Sequence, residues 1–126
     1  MLGLRSCLVL AAGTFSAAAA LAATLAVPIL ETAGDGQTAN CMSSVVAGLP
    51  RGRDGFLAVR AGPGEAYAKL AELKNGETVL VFQTSGEWAG VVYRTAKVTC
   101  VSRTTKPVAY ERKGWVHTKW LKPLAG

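Results

Sequence analysis

The residues with the means to do chemistry are few in this chain of 126 amino acids. His117 is the one histidine, and it sits in a short polar run, "HTKW", with no glutamate at metalloprotease spacing beside it. Ser43, Ser44, Ser85 and Ser102 lie outside any nucleophile elbow, and no phosphate-cradling glycine loop occurs. The carboxylates Glu65, Glu72, Glu77 and Glu87 each adjoin a turn, where solvated charges belong. General acid–base work needs a base held within reach of a second polar group, and nothing here supplies that pattern. An enzyme is not expected, and no cofactor or metal is. The chain is better equipped for binding. Tyr67, Trp88, Tyr93, Tyr110, Trp115 and Trp120 are many amphipathic aromatics for its size. Rings with a polar edge suit grooves that take extended peptides or sugars. Trp88 and Trp115 also read as core caps, whereas Tyr67, Tyr93 and Trp120 are expected on an exposed face. Arg60 is expected either to pair with a carboxylate near Glu65 or Glu87 or to face a ligand.

These residues must be carried by a small frame. The first charged side chain is Arg5, and no further charge appears until Glu31. A basic start, an apolar run from Leu8 to Leu30 and small residues in A-x-A-like order form a secretory signal pattern. Ala20-Leu21-Ala22 fits the cleavage rule best, with Thr24-Leu25-Ala26 close behind. An uncleaved membrane anchor is the competing reading, since the run is long enough to span a bilayer. Residues 1–26 are therefore read as signal, 27–40 as a flexible leader and 41–126 as one domain. The expected location is periplasmic or secreted, with membrane contact only through an uncleaved signal.

Cleavage leaves about 100 residues, one small domain with little room for core. Cys41 and Cys100 remain. An even pair in an oxidising compartment reads as a disulfide, while a metal site lacks ligand spacing. Charge is uneven along the chain. From Val27 to Tyr93 five basic residues face seven acidic ones, and from Arg94 onward eight basic residues face Glu111 alone. A basic third favours anionic neighbours or keeps a surface solvated. Export argues against nucleic acid, and a monomer is expected.

Between turn clusters the chain reads as short strands. "FLAVRAGPG" begins as a strand and breaks at Gly62-Pro63-Gly64. "KNGE" carries an Asn-Gly turn before "TVLVF", and "TSGE" turns into "WAGVVY". "EAYAKLAEL" admits a short helix by propensity. Arg94 to Lys113 is an irregular basic segment, a long loop or an extra hairpin. "GWV" is a last strand, "HTKW" a 3₁₀ turn and "LKP" a closing strand or tail. Five or six short strands with turns at this spacing predict an all-β, barrel-like fold. Leu57, Val59, Leu70, Val79, Val81, Val91, Val116 and Leu121 are expected to form its inward set.

Three motifs in order, "FLAVRAGPG" (Phe56 to Gly64), "LKNGETVLVF" (Leu73 to Phe82) with "GEWAGVVY", and "GWVHTKWL" (Gly114 to Leu121), resemble the bacterial Src-homology-3 (SH3-like) domain family. The resemblance covers about Val45 to Leu121. It implies a small SH3-like barrel of five to six strands and a non-catalytic envelope module that binds peptidoglycan or an extended peptide. Tyr67, Trp88, Tyr93, Trp120 and Arg60 are its candidate ligand contacts. The family usually has a short turn where residues 94–113 stand here. That insertion holds Cys100, which would tie it to Cys41, and its basic charge offers a second route to a partner. A secreted interaction factor or inhibitor, recognising its target through residues 94–113, is the alternative. Expected partners are thus a cell-wall polymer or an envelope protein.

Overall fold

Short alternating runs separated by glycine and proline turns become nine strands in the computed structural model, which describes residues 25–124. They are β1 (Leu30–Glu31), β2 (Met42–Val46), β3 (Leu57–Arg60), β4 (Lys69–Leu73), β5 (Thr78–Ser85), β6 (Trp88–Tyr93), β7 (Lys106–Pro107), β8 (Lys113–His117) and β9 (Leu121–Pro123). A 3₁₀ turn, Thr118–Trp120, joins the last two. The expected signal, apart from Leu25 and Ala26, lies outside the described residues.

Seven strands form one sheet in the order β4-β3-β8-β6-β5-β2-β9, and β1 pairs with β7 in a separate two-stranded ladder. Leu73 from one edge and Leu121 from the other pack into the same apolar cluster as Val46, Val59, Val79, Val91 and Val116. The sheet must therefore curl around that cluster. It does not close into the expected barrel, because no ladder joins β4 to β9. Strand β9 has only three residues and ends at Pro123, which has no N–H to give. Gly114 lets β8 come close to β3, since a β-carbon there would stand 3.0 Å from the Arg60 carbonyl oxygen.

The other face of the sheet is covered as well. Leu25, Ile29, Phe82, Val92, Val108 and Trp115 form a second cluster, joined by Cys41, Cys100 and Tyr110. The segment expected as a flexible leader contributes Ile29, only 1% exposed. Burying such a side chain stabilises the fold by about 1.5–3 kcal/mol. The Val27 N–H donates to the Ala61 carbonyl, the Trp115 indole N–H donates to the Val27 carbonyl at 2.9 Å, and the Val108 N–H donates to Ile29. Residues 25–31 thus form a strap across the sheet, and residues 94–113 lie beside it. Far from forming a hairpin of its own, the insertion pairs through β7 with β1. The Cys41–Cys100 disulfide, with Cα atoms 5.2 Å apart, fastens it to the start of β2.

Coverage on both faces explains the sequence of β6, where every residue after Trp88 is buried. A strand with core on two sides needs apolar side chains in both phases, and "WAGVVY" supplies them. The same two-faced arrangement corrects the expected inward set. Leu70 packs against the second cluster and its neighbour Ala71 against the first. The stretch "KLAEL" forms strand rather than helix because Leu57 and Val59 of β3 offer Leu73 and Ala71 cross-strand partners. Local propensity yields to that pairing.

Candidate functional site

The end of β3, the start of β6 and the 3₁₀ turn converge on one shallow hollow of about 130 Å³, lined by Phe56, Arg60, Glu65, Trp88, His117 and Trp120 among others. Its geometry follows from strand register. Trp88 opens β6 directly opposite His117, which closes β8. Their rings meet edge to face, with centroids 5.4 Å apart and planes at 68°. Such contacts favour a fixed tilt over a sandwich. His117 also caps the 3₁₀ turn: its Nδ1 accepts the Lys119 N–H at 3.0 Å. An accepting Nδ1 places the imidazole proton on Nε2, which faces Glu87 Oε2 at 3.3 Å. Thr118 ties the same corner down, its N–H and hydroxyl both donating to the Glu87 carbonyl. Both ring nitrogens of His117 are thereby engaged in holding a turn.

That turn aims Trp120. Its ring is half-buried, packing one side against the inner cluster. The Lys119 ammonium stands 4.9 Å from its centroid, within cation–π range. Arg60, at the end of β3, is held by one hydrogen bond from Nη1 to the Tyr67 carbonyl at 3.0 Å. It makes no ion pair among the described residues, so the carboxylate partner expected for it is absent and its guanidinium keeps donors for another acceptor. Guanidinium beside indole suits a ligand that offers a carboxylate or carbonyl together with an apolar or sugar face.

Three of the five expected contacts, Arg60, Trp88 and Trp120, are brought together. Tyr67 is not in the lining. It is 36% exposed, and its ring lies over Gly62, so close that a β-carbon there would be 2.6 Å from it. Its backbone carbonyl rather than its ring serves the hollow, by holding Arg60. Tyr93, expected on an exposed face, is 7% exposed and belongs to the inner cluster. It falls in phase with Ala89 and Val91 and so points inward. Burial pushes its phenol above the ordinary tyrosine range. Phe56 and His117 join the lining without having been picked out as contacts. Their signal is cross-strand: His117 meets Trp88 through a register between distant segments.

A larger hollow of about 490 Å³ lies between residues 32–40 and strands β2 and β5. Its lining includes Asn40, Met42, Phe82 and Gln83 but none of the tyrosines or tryptophans. Size favours that hollow. Chemistry favours the smaller one, because affinity comes from aromatic and arginine anchors rather than from volume. Among the described residues no three potential metal ligands cluster.

The family model described as bacterial SH3 domain matches residues 55–122, more than half of the chain. The match begins one residue before Phe56 and ends one after Leu121, and so contains the whole hollow. No curated protein and no solved structure matches the chain.

Proposed function

Because the chain belongs to the bacterial SH3 domain family, we propose that it is a non-catalytic binding module of the cell envelope, which recognises peptidoglycan or an extended peptide in the hollow between Arg60, Trp88 and Trp120. The observation that carries this reading is the convergence of two indoles and an arginine lacking a carboxylate partner among the described residues. The indoles supply flat apolar area at small entropic cost, and Arg60 offers a fork for a carboxylate or carbonyl. Export is part of the proposal, supported by the N-terminal signal pattern and by the Cys41–Cys100 disulfide. Burial of Leu25 favours cleavage after Ala22, because cleavage after Ala26 would remove a residue of the second cluster.

Co-sedimentation with purified insoluble peptidoglycan at low and high salt tests the reading. Retention that survives high salt and falls on Trp120→Ala supports groove binding. No retention at either salt removes the cell-wall version.

The basic insertion supports a second reading, a secreted interaction factor or inhibitor. Lys97, Arg103, Lys106 and Arg112 are exposed on a segment anchored by the disulfide. Because residues 94–113 also cover Trp115 and Val92, charge reversal at Lys97 and Arg103 tests this better than deletion. Capture of an acidic partner lost on reversal, with the hollow intact, would favour it.

A further inference from the structure

Glu31 is 7% exposed, yet it has no ion pair and no side-chain hydrogen bond among the described residues. The carboxylate oxygens of Glu31 are not among the buried, unpartnered side-chain atoms of the described residues, so the exposure it keeps is at its charged end. Glu31 borders a cavity of about 310 Å³ walled by Thr99, Val101, Lys106, Pro107 and Tyr110. It stands directly opposite Lys106 in the β1–β7 ladder, and Lys106 lines the same space. Directly opposed side chains on neighbouring strands leave their backbones about 5 Å apart, yet the two charged ends stay beyond ion-pair distance. An anionic and a cationic group therefore face one cavity side by side. Val101, Pro107, Ala109 and Tyr110 give it apolar and aromatic walls beside Thr99, whose N–H donates to the Tyr110 hydroxyl at 2.8 Å.

We propose that this cavity binds a zwitterionic amino acid, its ammonium on Glu31, its carboxylate on Lys106 and its side chain against Val101, Pro107 and Tyr110. A ligand with both charges completes two groups at once, whereas an amine or an acid alone leaves the other uncompensated. The volume lies at the small end of ligand pockets. This cavity shares no lining residue with the hollow at Trp88 and Trp120.

The test is a nuclear magnetic resonance titration of the exported, disulfide-bonded protein with alanine, N-acetylalanine and alanine methyl ester. Saturable shifts at Glu31, Lys106 and Tyr110 are expected with alanine. Each blocked ligand is expected to bind at least about tenfold more weakly, as is alanine to Glu31→Gln, since one charged partner is then left unpaired. Trp120→Ala is expected to leave the titration unchanged. No saturable shift with alanine, or equal affinity for the blocked ligands, would overturn the proposal. So would a Glu31 carboxyl signal in the free protein that moves on Lys106→Met while alanine has no effect, because the two residues would then pair directly. The blocked-ligand comparison uses the unaltered protein, so it stands even where Glu31→Gln fails to fold.

Discussion

Ile29 fills the space that Gly90 leaves by having no side chain: a β-carbon on Gly90 would lie 2.7 Å from Ile29 Cγ2. A strap residue and a central-strand glycine are thus fitted to each other, sixty-one positions apart in the chain. Ile29→Ala is expected to cost about 2–5 kcal/mol by opening a cavity. Gly90→Ala is expected to cost about 1–3 kcal/mol by overpacking. The two should couple, with Ile29→Ala relieving part of the Gly90→Ala loss. Urea unfolding of the four proteins in the cycle measures this. Additive losses would mean the strap does not rest on β6.

The disulfide should matter to stability about as much as the Ile29 contact. The chain-entropy account gives about 4 kcal/mol for a loop of this length, Cys41 and Cys100 being 59 positions apart in sequence. Reductant, or the pair of substitutions Cys41→Ser and Cys100→Ser, should lower the urea midpoint accordingly. Protection of the Trp115 indole N–H from exchange should fall with it, since the bridge holds the insertion over that face. An unchanged midpoint would show that the strap and β7 suffice to fasten it.

Acid should loosen the corner at Arg94, the one non-glycine residue at positive φ (50°) among the described residues. Its guanidinium donates to both oxygens of Glu77, at 2.8 and 3.1 Å, and to the Glu72 carbonyl. The Arg94 hydrogen bonds first, and the Lys74 N–H after them, hold the Glu77 carboxyl below its ordinary value. A depressed folded value means the stabilisation is full above the unfolded glutamate value, about 4.3, and is lost as pH falls through the lower folded one. Glu77→Gln should therefore cost about 1 kcal/mol near neutrality, as partly exposed pairs do. The difference from wild type should vanish under acid. Parallel pH–stability curves would contradict the assignment.

Removal of the signal should leave a mature chain that begins at Ala23. A protein beginning at Val27 would lack Leu25, a member of the second cluster. Intact mass of the exported protein, reduced and alkylated, distinguishes the two starts. A start at Val27 would show that the strap does not need Leu25.

The parts of this fold legible in sequence are those set by local chemistry. Breakers at Gly62-Pro63-Gly64 and Asn75-Gly76 punctuate strands, "HTKW" makes the 3₁₀ turn, and Cys41 pairs with Cys100. What escaped depends on which face a strand shows to what. Tyr93 and Leu70 lie on faces that their sequence does not indicate, because both faces of the sheet are buried and alternation no longer marks inside from outside. Residues 27–31 escaped for a different reason. Their apolar character merges with the signal run before them, and only the partner face, Gly90 and Trp115, shows that Ile29 and Val27 belong to the fold. Of the site, Arg60, Trp88 and Trp120 were legible as residue types. The place of His117 depends on a cross-strand register that no local pattern encodes.

An envelope ligand is proposed to enter the hollow of Arg60, Trp88 and Trp120. The most direct test is a titration of the isotope-labelled mature protein with soluble peptidoglycan fragments, followed at the indole N–H and arginine side-chain resonances. Saturable shifts are expected at Trp88, Trp120 and Arg60, weakened at least about tenfold by Trp120→Ala, as for an anchor in a binding site. Shifts confined to residues 94–113, or none at the two indoles at saturating fragment, would contradict it.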